Sequence, residues 1–407
     1  MSGRPSILFI AHRVPFPPNK GDKIRNYHVI EALAAHFDVH LLAFREGGDP
    51  RRVPEGLARL CASAELVPIA GGRFRSLLRA LRAGISVSEA HYRRDAMARR
   101  VRERVAAHGI TVAWAGSSAL APYLFGLPGR RYVDFMDVDS DKWRQYAERT
   151  GDPLSRWVYR REARRVADLE ARALRALNAV FVVAPGEADL LAERHPGAGR
   201  VIVAGNGVVG IAPGGRSMAA RPEAVVFTGA MDYWPNVDAV VWFAERVWPA
   251  VRAARPAARF LIVGSNPVRE VCALGRLPGV AVTGTVPDVA PYLGAARVMV
   301  APLRMARGIQ NKVLEGMAAG LPVVTTPEGA DGIDATDGDT FLVRADAEAT
   351  ARAVTGLLAD PEAARALGER ARRLMSERYG WAGRLGPILD ELAPRAEPGP
   401  ARREAVG

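Results

Sequence analysis

Residues 301–324 run Ala-Pro-Leu-Arg-Met-Ala-Arg-Gly-Ile-Gln-Asn-Lys-Val-Leu-Glu-Gly-Met-Ala-Ala-Gly-Leu-Pro-Val-Val. An apolar strand ends at Ala301, a loop follows, and a helix is predicted to start near Gly308 and stop at Gly320, after which Leu321-Pro322 open another strand. The first turn of a helix has backbone N–H groups with no intrahelical acceptor, and the helix dipole adds partial positive charge there, so an anion binds well. Lys312 lies about one turn inside the expected start, within reach of that anion. Glu315, three residues on, shares roughly the same face, and a carboxylate there can accept two hydrogen bonds from a vicinal diol such as a ribose. Phosphate at the helix end with a carboxylate deeper in is the chemistry of nucleotide recognition. The alternative is an ordinary surface pair between Lys312 and Glu315.

Two other segments carry reactive side chains. Asp134, Asp137, Asp139 and Asp141 crowd the carboxyl end of a predicted strand and are followed by Lys142. Clustered carboxylates suit a hard cation, a general base or acceptor binding. Capping of the next helix by Asp139 or Ser140 is the simpler use of the later members, leaving Asp134 and Asp137 as the site candidates. The loop 13–23, holding Lys20, Gly21 and Lys23, leads from the first strand into a helix expected over 24–37; a glycine there lets a ligand approach backbone N–H groups. Of the seven histidines only His12, at the end of that strand, stands where a site would lie, and none forms a metal-spaced pair.

These segments must be held by an α/β framework. Short β-branched runs at 6–12, 39–44, 65–70, 111–116, 131–135, 179–184 and 200–204 alternate with helical patterns such as 95–108 and 155–177. Apolar on both faces and separated by helices, they predict a parallel sheet covered on both sides. The glycine- and proline-rich stretch 206–222 has no sustained periodicity and reads as a linker. The alternation then restarts at 224–229, 258–263, 280–284, 297–301, 322–326 and 340–343. The expected organisation is two doubly wound Rossmann-like domains, 1–205 and 223–375, facing a central cleft where the carboxyl ends of the strands meet. A helix over 376–392 is expected to cross back to the first domain, and 393–407 to be a disordered tail.

The chain carries 56 Lys+Arg against 44 Asp+Glu, a net charge of +12, yet its only lysines are Lys20, Lys23, Lys142 and Lys312. All four fall in the segments chosen above, whereas arginine is spread over the presumed helix faces as the default cation. A compact ammonium is not interchangeable with a planar guanidinium, so the lysines are the sharper signal. No nucleic-acid module or basic–aromatic platform accompanies the charge, and no nucleic-acid partner is expected. Cys61 and Cys272 give no disulfide framework. Residues 1–15 lack the apolar stretch of a signal peptide, and no run approaches a membrane span; the expectation is a cytoplasmic protein, peripheral to the inner face of the cell membrane at most. Arg156, Arg160, Arg161, Arg164 and Arg165, with Trp157, Val158 and Tyr159, make a basic helix that could lie on anionic lipid or simply face solvent.

The segment 301–324 resembles the donor site of GT-B-fold glycosyltransferases, in particular glycosyltransferase family 4. Phe227-Thr228-Gly229-Ala230-Met231-Asp232-Tyr233-Trp234-Pro235-Asn236 is similar to that family's opening of the second domain, and Leu261-Ile262-Val263-Gly264-Ser265-Asn266-Pro267 to its next strand and loop. Val282-Thr283-Gly284-Thr285-Val286-Pro287-Asp288-Val289 and Tyr379-Gly380-Trp381 match as well, while 13–27 and 134–146 resemble bacterial sugar transferases found with exopolysaccharide and PEP-CTERM export systems.

The resemblance implies retaining transfer of a sugar from a nucleotide-diphosphate sugar to a glycan or lipid-linked acceptor, with the nucleotide sugar as co-substrate, no further cofactor and no metal. It puts the donor ribose on Glu315. The family's earlier acidic position falls here on Arg307, so sugar contacts are expected from Gly308, Ile309, Gln310 and Asn311 instead. The family's basic residues after the second domain's first strand are replaced by Met231, Asp232 and Asn236; with Gly229 and Gly264 these form the expected donor wall, leaving Lys312 and Arg304 as diphosphate cations and Gly21, Lys20 and Lys23 opposite. Asp137, with Asp134 and His12, takes the catalytic or acceptor-positioning place. A GT-B relative that epimerises or phosphorolyses sugars is the alternative enzyme.

Overall fold

The computed structural model describes residues 4–19, 21–69, 72–210, 217–306 and 308–393. Lys20, Arg307, part of the 206–222 linker and the tail beyond Ala393 lie outside the described residues.

Among the described residues the first sheet has seven strands, β1 (Ser6–Ala11), β2 (Asp38–Arg45), β3 (Ser63–Pro68), β4 (Val112–Ala115), β5 (Arg130–Met136), β6 (Ala179–Val182) and β7 (Val201–Val203), in spatial order β3-β2-β1-β4-β5-β6-β7. The second has six, β8 (Ala224–Thr228), β9 (Arg259–Val263), β10 (Val280–Gly284), β11 (Val298–Ala301), β12 (Val323–Thr325) and β13 (Leu342–Val343), in order β10-β9-β8-β11-β12-β13. Every pairing is parallel. The reason lies in the strands: Ile7 to Ala11 are buried without interruption, as are all of β4, β6, β8 and β11, and such strands need helices on both faces. In each sheet the order reverses beside the first strand, and a crevice opens there at the strands' carboxyl ends.

The alternation expected from sequence is the alternation observed; the differences are at element ends. The first helix is Gly21–Ala34, beginning before the expected 24 and stopping short of 37 because the His36 and Phe37 N–H groups both close on the Leu33 carbonyl. The last strand is confined to Leu342–Val343 because Thr340 folds back on Thr336, through bonds at 3.0 and 3.2 Å.

At the C-terminus, a second-domain helix, Pro361–Arg378, is followed by the short helices Trp381–Arg384 and Gly386–Leu392 in place of one continuous helix over 376–392. Leu385, Ile388 and Leu392 pack into the first domain's core with Phe9, Trp114 and Phe181. The Glu391 carboxylate accepts from the Tyr132 hydroxyl at 3.1 Å. The outgoing linker and the returning chain run together: the Val208 N–H donates to the Tyr379 carbonyl at 2.7 Å, and Trp381 stacks on His28 with ring centroids 4.4 Å apart.

Candidate active site between the two sheets

The second-domain wall is built on the helix after β11. Val313, Leu314, Met317 and Ala318 form its buried stripe, and Gly316 lies so close to Met299 of β11 that a side chain there would overlap the Met299 sulfur. This packing turns Lys312 and Glu315 toward the cleft. The helix itself is Asn311–Ala318, three residues shorter at its start than expected, because Gly308 adopts φ +60° and Gln310 is extended. Gly308, Ile309 and Gln310 are therefore a loop in front of the helix, and the unsatisfied first-turn N–H groups belong to Asn311 and Lys312.

Lys312 Nζ stands 5.8 Å from the centre of the buried Phe227 ring of β8, at the β8/β11 crevice. Among the described residues it has no carboxylate within ion-pair distance. Burial pushes the Lys312 ammonium down to about 8, against the opposing pull of Glu315. Burial likewise pushes the Glu315 carboxyl up to about 7, against Lys312. Two half-buried charges of opposite sign that do not touch are a poor structural pair and a good pair of ligand contacts.

The loop after β8 packs tightly behind this wall. A side chain on Gly264 would overlap the Gly229 carbonyl, and Asn236 Nδ2 donates to the Ala230 carbonyl at 2.9 Å. Met231 is fully buried among core side chains, so its expected contact with a donor is corrected: it is part of the packing. Arg304 is corrected too. Its guanidinium is held by both Asp238 oxygens, with the Nε contact at 3.0 Å, so it faces a carboxylate instead of an open anion site.

The first-domain wall is the turn after β5. Asp134 is fully buried and accepts from Arg25 Nε at 2.6 Å and from the Met136 N–H at 3.1 Å. Burial pushes the Asp134 carboxyl up, against Arg25 and the Met136 amide. Met136 has φ +65°, rare for a side-chain-bearing residue, and the β5–β6 register shifts between Asp134 and Met136. This kink sends Asp137 out of the sheet toward the second domain. There a side chain on Gly308 would overlap Asp137 Oδ1, so Gly308 is required both for its backbone angle and for the approach. Burial pushes Asp137 up to about 7, helped by Glu187 and Asp139 and opposed by Lys142.

The rest of the acidic cluster is consumed locally. The following helix, Asp139–Arg149, has no side-chain cap, which corrects the capping role expected for Asp139 or Ser140. Asp139 instead pairs with Lys142 and accepts from Ser118 at 3.0 Å. Asp141 is taken by Arg194, Arg144 and Gln145. Among the described residues no three His, Cys, Asp or Glu side chains converge as a metal site would require.

His12 faces Asp22 at 2.8 Å through Nε2 and the Gly116 carbonyl at 3.3 Å through Nδ1, so both ring nitrogens are engaged. Asp22 is partly buried, which works against its charge, but His12 and Arg13 hold its carboxyl well below the usual range. Lys23 turns away to Asp49 at 3.7 Å. Gly21 does meet the second domain, the Asn311 amide lying 3.5 Å from where its side chain would begin.

The site also holds residues that sequence reasoning passed over. Tyr233 and Tyr146 come together across the cleft, and burial pushes both phenols up. Tyr146 also meets Trp234 edge-on, centroids 5.2 Å apart. Arg25 and Asn206 lie at the cleft floor. The available signal was Arg25 itself: it occupies the inward stripe of its helix with Val29 and Leu33, where an apolar residue belongs.

Comparison with known proteins agrees with this geometry. Residues 222–360 match the family model Glycosyl transferases group 1. A curated relative, the lipopolysaccharide core biosynthesis mannosyltransferase LpcC of Rhizobium leguminosarum bv. viciae, is 31% identical over 150 residues; the match spans 36% of this chain and 42% of the relative, less than half its length. Among solved structures, sucrose-phosphate synthase of Thermosynechococcus elongatus superimposes with TM-score 0.73 at 20% identity, over 96% of this chain and 99% of that one. HepE of Anabaena, in complex with UDP-glucose, gives TM-score 0.66 at 13% identity over 95% and 99%. WaaG, a glycosyltransferase involved in lipopolysaccharide biosynthesis, gives 0.63 at 16% over 93% and 97%. The chain thus has the GT-B fold, and its second domain is similar to the Glycosyl transferases group 1 family over residues 222–360.

Proposed function

We propose that the protein is a retaining glycosyltransferase that moves a sugar from a nucleotide-diphosphate sugar to a glycan or lipid-linked acceptor in exopolysaccharide biosynthesis. The observation that carries the reading is the couple Lys312 and Glu315 on the Asn311–Ala318 helix, without an ion-pair partner among the described residues, just beyond Gly308, which meets Asp137 of the other domain. Glu315 receives the ribose hydroxyls. Lys312 and the helix N-terminus receive the diphosphate and stabilise the charge that grows on it as the glycosidic bond breaks. Asp137, ionising near neutrality, positions the acceptor hydroxyl and takes its proton. The polysaccharide role draws support from the relatives, of which two are named for lipopolysaccharide synthesis.

A lipid-linked acceptor also fits the outer face of the first domain. No helix of the described residues is long and apolar enough to cross a membrane. Leu154 and Trp157, 70% and 55% exposed, lie on the helix Pro153–Ala176 with the exposed Arg160 and Arg164. Arg161 binds this helix to the Ala80 and Ile85 carbonyls, bringing alongside it the exposed Leu78 and Leu81 of the helix Arg73–Ala83. Apolar side chains among arginines suit anionic lipid. Flotation with phosphatidylglycerol vesicles at physiological salt should carry the wild type and lose Trp157→Glu; equal behaviour of the two removes the lipid surface.

The function itself is tested by incubating the protein with a panel of nucleotide-diphosphate sugars and bacterial membrane extract, with chelator present, and analysing products. An acceptor-dependent glycoside retaining the donor's anomeric configuration is expected. Epimerised donor, sugar phosphate, or activity that appears only with added divalent cation contradicts the reading.

A further inference from the structure

One chain of hydrogen bonds crosses the molecule beneath the cleft. Arg25, on the first-domain helix Gly21–Ala34 and fully buried, donates Nε to Asp134 at 2.6 Å and Nη1 to Asn206 Oδ1 at 3.0 Å. Asn206, in the linker, donates Nδ2 to Asn311 Oδ1 at 2.9 Å. The two ends are the points that aim the reactive groups. Asp134, through its other oxygen, holds the Met136 N–H at the kink that presents Asp137. Asn311 is the first residue of the helix and precedes Lys312.

We propose that Arg25 and Asn206 are a positioning pair that keys the first turn of the Lys312 helix to the turn presenting Asp137, so that donor phosphate and acceptor base keep one spacing. The chemistry favours arginine for this place. A guanidinium directs separate N–H groups to two acceptors in one fixed plane, whereas an ammonium is a compact charge with rotatable donors and no such fork. The charge also compensates Asp134, which has no other cation within ion-pair distance among the described residues, and it favours the ionised form of Asp137. Neither residue touches substrate in this account; both act through the groups they hold. The consequence for transfer rests on the glycosyltransferase reading, but the physical coupling does not.

The test is hydrogen–deuterium exchange on the full-length protein as wild type, Asn206→Ala, Asn311→Ala and Arg25→Lys. The lysine variant keeps a cation beside Asp134, so the fold survives while the fork is lost. Asn311→Ala, a change in the second domain, is expected to speed exchange at residues 136–139 of the first by about tenfold, and Asn206→Ala and Arg25→Lys to do so at both 136–139 and 311–314. Exchange in β12 and the melting temperature should stay at wild-type values. Changes confined to the substituted side, or changes that spread through every segment with the melting temperature, overturn the proposal. With a sugar nucleotide that stabilises the wild type, Asn206→Ala should lower kcat about tenfold and leave donor KM within about twofold; raised KM at constant kcat contradicts a positioning role. If no sugar nucleotide binds, the glycosyltransferase reading fails, and the exchange data still decide the coupling.

Discussion

The two walls of the cleft treat charge in opposite ways. On the first-domain wall nearly every carboxylate has its own partner: Asp134 has Arg25, Asp139 has Lys142, and Asp141 has Arg194 and Arg144. Only Asp137 projects from that cluster without an ion-pair partner among the described residues, toward Gly308 of the other domain. On the second-domain wall Lys312 and Glu315 are both half-buried and neither has an ion-pair partner among the described residues, each pushed by burial toward neutrality. Crowded like residues are mostly scaffold for one another; the reactive groups are those whose desolvation is left uncompensated.

The sharpest way to break this contrast is to remove one member of a matched pair. Asp134→Ala should destabilise the protein by about 3–5 kcal/mol, because it leaves the Arg25 guanidinium buried and uncompensated. Chemical unfolding measures this, and a loss under about 1 kcal/mol would mean that the pair is not structural. Asp137→Asn should keep the fold and donor binding but slow transfer by about 10²–10⁴-fold, the usual worth of a positioned acid or base. Wild-type transfer should rise with pH through about 7 as Asp137 ionises, and the variant should lose that limb.

Smaller, and confined to the open wall, is the effect on donor binding. Lys312→Ala should weaken it by about 1.5–3 kcal/mol, the range for hydrogen bonds to charged groups, with little change in stability. The sign of its proton linkage is fixed by the direction of the shift. Lys312 is pushed down to about 8 in the free protein, an incoming diphosphate raises it again, and binding therefore takes up a proton. Calorimetry at pH 8 in buffers of different ionisation enthalpy should read about half a proton for the wild type and about none for Lys312→Ala; proton release by the wild type contradicts the assignment.

Legibility from sequence followed the same divide. The parallel sheets were readable because buried strands between helices leave an unbroken apolar signature, as in Val298–Ala301. Lys312 and Glu315 were readable as candidates because a cation and an acid three residues apart on a helix after a strand are unusual there. The loop 308–310 was not, because Gly308 φ +60° answers to Asp137 in the other domain, a contact that no local pattern encodes. Met231 and Arg304 misled for the converse reason: their positions suited a donor site, but long-range packing and Asp238 claimed their side chains. Arg25 and Asn206 stayed hidden among many arginines and in a glycine-rich linker.

The central claim is that the open wall binds a nucleotide-diphosphate sugar through Glu315 and Lys312. Its most direct test is thermal unfolding of wild type, Glu315→Ala and Lys312→Ala across a panel of such sugars. A ligand at about a hundred times its Kd should stabilise the wild type by about 2.7 kcal/mol. The account predicts that one sugar nucleotide does so and that both variants lose most of the gain while melting near the wild type without ligand. Equal stabilisation of all three proteins, or none of the wild type by any member of the panel, would contradict it.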